Sequence, residues 1–380
     1  MAKRDVSKEA LALHKKLGGK IRIELAAKVK NQSDLSLIYT PGVGAVSSYL
    51  AKHKEETKHY TMKGKMIAII SDGSAVLGLG NIGPEAALPV MEGKAALFKA
   101  FAGVDAFPIV LNTQKVDEIV KTVVNIAPGF AGINLEDFSA PRCFEIEERI
   151  KAQLDIPVMH DDQHGTAIAV TAGLINASKV VKKKFESLKV VISGAGAAGT
   201  AIAKLLLLAG VKDIILLDSK GIIVRGRHSL HHHKEELADR TNPRGVSGDY
   251  HDALRGADAV IGVSGPGVIT PEHIARMAHK KIVFALANPV PEIMPEEAHA
   301  AGAAVVATGR SDYPNQINNS LVFPGVFRGA LDHGVKKITD PMKLQAAKNL
   351  AGLVARPTAA KIVPTAFERG VVGAVAKAIK

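Results

Sequence analysis

Residues 131–165 read AGINLEDFSAPRCFEIEERIKAQLDIPVMHDDQHG. Two short apolar runs, 131–135 and 157–160, enclose a segment, 142–154, whose apolar residues recur at helical spacing. A strand, a helix and a strand in that order form a right-handed crossover that lays the two strands parallel. Each run is followed at once by an acidic pair, Glu136-Asp137 and Asp161-Asp162. Parallel neighbours end at the same edge of a sheet, and open α/β sheets bind ligands at that carboxyl edge. Four carboxylates gathered there repel one another unless something positive intervenes. A divalent cation held by oxygen ligands is the economical counterweight, and Mg²⁺ or Mn²⁺ suits such a hard donor set.

The alternation continues on both sides of this unit. Upstream, strands are expected over 66–71 and 107–111 and helices over 85–103 and 116–126. Residues 1–60 read as helices and loops, broken at Tyr39-Thr40-Pro41-Gly42. Downstream, a long helix over 166–181 leads into strands over 189–193, 213–217, 259–263, 282–287 and 304–308, with a helix over 198–209. This pattern predicts an α/β protein with parallel sheets in both halves.

Composition narrows the classes. The formal charge of +12 fits attraction of an anionic small molecule or a nucleic acid, and equally a solvated basic surface. No nucleic-acid-binding signature is present, so no nucleic-acid partner is expected. A single cysteine, Cys143, excludes an internal disulfide framework and fits a reducing cytosol. The charged start, residues 1–16, has no apolar signal core, and no apolar stretch is long enough for a membrane span. A cytoplasmic protein without a membrane partner is the expectation.

Two stretches match GxGxxG. Gly194-Ala195-Gly196-Ala197-Ala198-Gly199 follows an apolar strand directly and opens a helix, and Asp218 ends the next strand. Glycines there permit a tight turn and close backbone approach to a pyrophosphate at the helix N-terminus, while the acid can accept from ribose hydroxyls. The other match, Gly78-Leu79-Gly80-Asn81-Ile82-Gly83, stands away from its strand, and Asn112 rather than an acid closes the next one. It reads as a loop beside the substrate. NAD or NADP is therefore the expected cofactor: Asp218 favours NAD, yet Lys220, Arg225 and Arg227 follow closely and can neutralise a 2′-phosphate. A chain of 380 residues exceeds one ordinary core. The division expected is a substrate and metal domain over 1–160 and a Rossmann-type dinucleotide domain over 161–380, with a helical tail, 342–380, folding back on the first.

Several residues carry two readings. Lys94 falls on the apolar stripe of Val90, Leu97 and Phe101, whereas Lys99 falls away from it. An inward lysine with a pKa lowered by burial can serve as a general base; a stem snorkelling to solvent is the structural alternative. Tyr39 lies in a Pro-Gly turn, where a phenol can donate a proton, although a core tyrosine is the plainer reading. Asp72 is a further ligand or a turn-stabilising Asp-Gly. His160 and His164 read as supporting residues around an oxygen site. His231-His232-His233 sits in a charged stretch and reads as a solvated loop or helix start before a metal site. Cys143 has no motif around it.

Together these residues resemble the malic enzymes. The resemblance runs from Tyr39 to Gly325 and rests on Tyr39-Thr40-Pro41-Gly42-Val43, Ser71-Asp72-Gly73, Gly78-Leu79-Gly80, Gly93-Lys94, Glu136-Asp137-Phe138, Asp161-Asp162-Gln163-His164-Gly165-Thr166, Ala287-Asn288-Pro289, Asn318-Asn319-Ser320 and Phe323-Pro324-Gly325. It implies the short microbial form, without eukaryotic extensions or a fused phosphate acetyltransferase domain. It implies oxidative decarboxylation of malate with NAD or NADP. Glu136, Asp137 and Asp162 become the ligands of Mg²⁺ or Mn²⁺, Lys94 the general base with Asp161 as its charged neighbour, and Tyr39 the acid that protonates the product carbon. Asn288 and Asn319 become the amides that hold the substrate carboxylates, Asn288 also adjoining the cofactor. A homodimer or higher homo-oligomer is implied as well. One departure stands out: larger members carry a substrate-binding arginine where this chain has Ser74-Ala75-Val76. Malolactic or oxaloacetate-decarboxylating activity on the same site is the neighbouring reading. A cofactor-sensing relative without chemistry would have no use for both base and acid.

Overall fold

The computed structural model describes residues 6–380, the Leu77 side chain excepted; the first five residues of the charged start lie outside it. Helices α1 (Val6–Leu17), α2 (Gln32–Ile38), α3 (Gly42–Lys52) and α4 (Thr57–Tyr60) open the described chain. The first sheet then alternates with helices: β1 (Met66–Ser71), α5 (Pro84–Ala102), β2 (Asp105–Val110), α6 (Val116–Ile126), β3 (Gly132–Leu135), α7 (Arg142–Gln153) and β4 (Val158–His160). Its strands are parallel in the order β2-β1-β3-β4, so β3 and β4 are neighbours and end together.

Helix α8 (Asp161–Val181) leads into the second sheet. There follow β5 (Lys189–Ser193), α9 (Ala197–Leu208), β6 (Asp213–Asp218), β7 (Gly221–Ile222), α10 (His232–Arg240), α11 (Tyr250–Leu254), β8 (Ala259–Gly262), α12 (Pro271–Ala275), β9 (Lys281–Ala285), α13 (Pro295–Ala300) and β10 (Ala303–Thr308). The order is β10-β9-β8-β5-β6-β7, parallel except for the two-residue edge strand β7. Helices α14 (Phe323–His333), α15 (Asp340–Gly352) and α16 (Val371–Ala376) close the chain.

Three sequence expectations need correction. Helix α8 starts at Asp161, five residues before the expected 166, so both acids sit in its first turn, where carboxylates suit the positive end of the dipole. The tail is not continuously helical, because residues 353–370 separate α15 from α16. The buried face of α5 is Ala87, Met91, Lys94, Ala95 and Phe98; Val90, Leu97 and Phe101 flank it and are only partly covered. Lys94 is inward, but on a stripe rotated from the one the spacing marked.

One core joins the two sheets. Ile67, Ile69, Met91 and Phe98 share it with Ile168, Val190, Ile214, Phe284, Phe323 and Phe327. Helix α8 is buried nearly all round, as a helix between two layers must be. The Phe98 ring lies 4.7 Å from Phe323 and 5.5 Å from Phe327, and Phe101 meets Phe367 of the tail at 5.4 Å. The opening helices differ: α1 to α4 bury no residue. Leu11, Ile23, Leu25 and Leu37 are each more than 70% exposed.

Candidate active site

The sheet edge assembles the cluster from four elements. Glu136 and Asp137 follow β3, Asp161 and Asp162 begin α8 directly after β4, and α5 carries Lys94 across to them. The Lys94 ammonium donates to Glu136 Oε1 and, at 2.5 Å, to Asp161 Oδ2, and lies 4.4 Å from the centroid of the Phe323 ring. It is 7% exposed, so these contacts replace its hydration. Asn134 donates to Glu136 Oε2 at 2.9 Å. The Asp137 N–H donates to Asp162 Oδ2 at 2.7 Å, and its carbonyl accepts from the Ala75 N–H. Those two bonds hold Asp137 at φ 57, a left-handed conformation that aspartate tolerates but seldom adopts. His160 Nε2 stands 3.3 Å from Asp162 Oδ2.

The cluster is short of positive charge. Burial pushes the Glu136 carboxyl well above the usual carboxylate range, with Asp162, Asp161 and Asp137 adding to the effect against the pull of Lys94. Asp161 is pushed up to about 6 by burial, again opposed by Lys94. For Lys94, burial lowers the pKa, but the charges of Asp161, Glu136 and Asp162 outweigh it and the net direction is up. This reverses the sequence expectation, in which burial alone set the sign.

A cation fits here. Glu136, Asp137 and Asp162 each offer a carboxylate oxygen, all within 4.8 Å of one another. Asp161 Oδ1 and Asn134 Oδ1 are buried without a hydrogen-bond partner among the described residues, so acceptors outnumber donors. Oxygen donors without imidazole or thiolate match Mg²⁺ or Mn²⁺. Asp72 is not one of the three: its oxygens accept from the Ser74 N–H and from Arg142 Nη1. Arg142 also donates to Ser139 Oγ and to the Gln114 carbonyl, and the Ser139 N–H donates to Ser74 Oγ, so this guanidinium is tied to the same loop as Ser74-Ala75-Val76.

Of the two asparagines, Asn319 lies beside the acids. A side chain on Gly165 would meet both Asp161 Oδ1 and Asn319 Cβ, so Asn319 packs one turn beyond the acids. Asn288 follows β9, and its carbonyl closes directly on Gly78 of the second glycine motif, where a Cβ would stand 2.0 Å from it. Tyr39 is the residue the chain does not bring in. It caps the C-terminus of α2, is 66% exposed, and has no hydrogen bond or ring contact to the cluster among the described residues.

The glycine turn Gly194–Gly199 joins β5 to α9, whose first residues are Ala197 and Ala198. A side chain at Gly199 would stand 1.8 Å from the Gly194 carbonyl oxygen, so the turn closes only with glycine there. Beside it is a cleft of about 300 Å³ lined by Gly194, Ala195, Gly196, Asp218, Ser219 and Lys234, with Pro141 and Phe144 from the first half and His231 and His233 from the start of α10. Asp218 accepts from Arg227 Nη2 at 2.5 Å, Lys234 Nζ at 2.6 Å and the Lys220 N–H at 2.9 Å. Burial would raise its pKa; these bonds outweigh burial and bring it down to about 2. Of the basic side chains that follow Asp218, Arg227 pairs with it, while Arg225 pairs with Asp239.

Sequence reasoning passed over Asn134, Lys234 and the network around Glu147. A polar residue inside an apolar strand was a visible signal for Asn134. Lys234 is hidden in a charged stretch. Glu147, on α7, accepts from the His160 N–H, Lys151, Gln163 and His164, and Lys343 reaches His164 from α15.

Two parallel sheets, a glycine turn facing a dinucleotide cleft, and a lysine held among carboxylates at the neighbouring sheet edge define a dinucleotide-dependent oxidoreductase. Residues 18–151 match the family model described as malic enzyme, N-terminal domain, and residues 163–377 the one described as malic enzyme, NAD binding domain. The chain is 54% identical over 374 residues to the bifunctional malic/malolactic enzyme of Bacillus subtilis, covering 98% of this chain and 91% of that protein. It is 52% identical over 377 residues to the NAD-dependent malic enzyme of Geobacillus stearothermophilus, covering 99% and 78%. The NAD-dependent malic enzyme of Thermotoga maritima superposes with a TM-score of 0.94 at 49% identity, covering 97% of this chain and 98% of that one. The chain belongs to the malic enzyme family.

Proposed function

We propose that this chain oxidises (S)-malate and decarboxylates the product, yielding pyruvate and CO₂ as NAD or NADP is reduced. The observation that carries the reading is Lys94, a buried amine bridging Asp161 and Glu136, the latter converging with Asp137 and Asp162. Glu136, Asp137 and Asp162 would hold Mg²⁺ or Mn²⁺. When bound, the ion supplies Lewis acidity at the substrate's C2 oxygen and the nicotinamide an acceptor for the C2 hydride.

The protein's own groups do the rest. Lys94 takes the C2 hydroxyl proton, and Asp161 holds the resulting ammonium. The carboxylates that raise the Lys94 pKa are the proposed ligands and their neighbour, so filling the site weakens their hold on its proton. Asn288 and Asn319 orient the substrate carboxylates. After CO₂ leaves, Tyr39 protonates C3.

The chain divides at residue 160 into a substrate and metal domain and a dinucleotide domain, and closure between them gates the reaction. It works in the cytoplasm as a homodimer or higher homo-oligomer; no helix among the described residues is long and apolar enough to cross a membrane. The uncovered apolar side chains of α1 to α4 support the oligomer, since such patches mark interfaces. Tyr39 rides on that segment and serves the partner's site.

The Bacillus subtilis relative, named as both malic and malolactic, favours one second reading, a malolactic reaction on the same residues. Malate assays with NAD and NADP in parallel, with and without Mn²⁺, separate the two. Reduced cofactor appearing with pyruvate, only in the presence of metal, is expected. Lactate without reduced cofactor would establish the malolactic reaction instead.

A further inference from the structure

We propose that His231, His232 and His233 form a second metal site, suited to a nitrogen-seeking ion such as Zn²⁺, and that an ion held there closes the cleft to the dinucleotide. The closing half rests on the dinucleotide reading above; the metal site itself does not.

The sequence expectation for this triplet was a solvated loop or helix start. The helix start is there: His231 is the N-cap of α10, and His232 and His233 are its first residues. Solvation is uneven. His231 and His232 are exposed, whereas His233 is 7% exposed and its ring packs 4.4 Å from that of Phe144 on α7. The three rings crowd together, with centroids 3.8, 4.3 and 5.3 Å apart, and each offers a nitrogen within 4.8 Å of the others. None of the three imidazoles makes a hydrogen bond among the described residues. Polar groups this covered ordinarily find a partner. Burial first, then the charges of His232, Lys204 and His231, bring the His233 pKa down to about 4. At neutral pH its ring is therefore neutral, the form that binds metals.

The donor atoms separate this site from the carboxylate cluster. Imidazole nitrogens suit Zn²⁺, Ni²⁺ and Cu²⁺, whereas the oxygens of Glu136, Asp137 and Asp162 suit Mg²⁺ or Mn²⁺. Three protein ligands leave Zn²⁺ one further position, for water. His231 and His233 are also walls of the dinucleotide cleft, together with Gly194, Gly196 and Asp218. That cleft holds about 300 Å³, so an ion and its water drawn between two of its walls take space the dinucleotide needs. Ion and dinucleotide then oppose each other, and by linkage each weakens the other by the same factor.

Calorimetric titration of the whole chain with Zn²⁺, in large excess of Mg²⁺ to keep the carboxylates filled, reads the site without turnover. One Zn²⁺ per chain is expected. His232→Gln changes an exposed residue that does not line the cleft. It is expected to weaken Zn²⁺ at least about tenfold, since even groups that only support a metal ligand are worth that much. Asp162→Ala is expected to leave Zn²⁺ binding at the histidines unchanged. Unaltered Zn²⁺ affinity in His232→Gln would overturn the proposal, and loss of Zn²⁺ in Asp162→Ala would give the ion to the carboxylates instead. ADP-ribose is then titrated with and without Zn²⁺. Its affinity is expected to fall about tenfold in the Zn²⁺-loaded wild type, within the usual range of coupling between sites, and to be indifferent to Zn²⁺ in His232→Gln. Equal affinity in the loaded and unloaded wild type would overturn the closure. No ADP-ribose binding by the metal-free protein would remove the dinucleotide reading, whereas a histidine-dependent Zn²⁺ site would stand.

Discussion

Lys94 and Tyr39, the two residues to which proton transfer is assigned, stand in opposite surroundings. Lys94 is 7% exposed and is fixed by Glu136, Asp161 and the Phe323 ring, each from a different element. Tyr39 is 66% exposed on a segment whose helices bury nothing. A residue held by its own core can be located from one chain. A residue on an uncovered apolar segment is located by whatever covers that segment, and burying apolar surface is worth about 25 cal/mol per Å². The difference is what the proposed assembly would account for: the proposed base is held within one chain, and the proposed acid is left for a partner to cover.

The largest effect is expected where the base half is densest. Asp162→Ala removes a proposed cation ligand and the acceptor that holds Asp137 in its left-handed conformation. Turnover of malate should be abolished, and Mn²⁺ binding followed by electron paramagnetic resonance should be lost, with most dinucleotide affinity kept. Full activity of this variant without added metal would break the comparison at its firmer end. Lys94→Ala comes next: malate oxidation should fall about 10²- to 10⁴-fold, with a smaller loss of dinucleotide binding. A fall under about threefold would make Lys94 a structural residue rather than a base.

Tyr39→Phe should act later and more selectively. It is expected to impair decarboxylation of added oxaloacetate while largely sparing reduction of a 2-oxo acid. Equal losses in the two partial reactions would turn Tyr39 into a binding or packing residue. The smallest effect on chemistry is expected from Glu147→Gln, which should lower stability. Truncating one member of a buried ion pair typically costs about 3–5 kcal/mol. Burial raises the Glu147 pKa, but His164, Lys151 and Lys343 outweigh it and the net direction is well below the usual carboxylate range. A depressed carboxylate stabilises the fold above its unfolded value of about 4.3, and that contribution is lost as pH falls towards the folded value. Thermal unfolding midpoints of wild type and variant should therefore differ at neutral pH and converge in acid. A gap independent of pH would show that Glu147 acts through packing instead.

Much of this was legible in the chain because strands and amphipathic helices announce themselves locally. Runs such as Lys189–Ser193 and Val116–Ile126 carry their own period and punctuation. The start of α8 was not, since an acid pair after a strand looks like a loop as readily as the first turn of a helix. The rotated stripe on α5 shows the limit of spacing when apolar residues occur on several faces. The direction of the Lys94 shift depends on Asp161 and Glu136, which are 67 and 42 residues away in sequence. Only the fold brings those charges together. Lys234 was missed for the same reason, because its meaning comes from Asp218, 16 residues earlier. For Tyr39 the local sequence describes a turn and nothing more, and the folded chain leaves it 66% exposed.

Mixing subunits tests most directly whether one site uses two chains. Tyr39→Phe and Lys94→Ala proteins, each impaired alone, are combined under conditions where subunit exchange is verified, and malate-dependent formation of reduced cofactor is followed. In a shared arrangement, a heterodimer contains one site with both an intact base and an intact acid. The expected result is activity well above either parent, rising with the heterodimer fraction. No recovery after complete exchange would contradict the assignment and return both residues to the same chain.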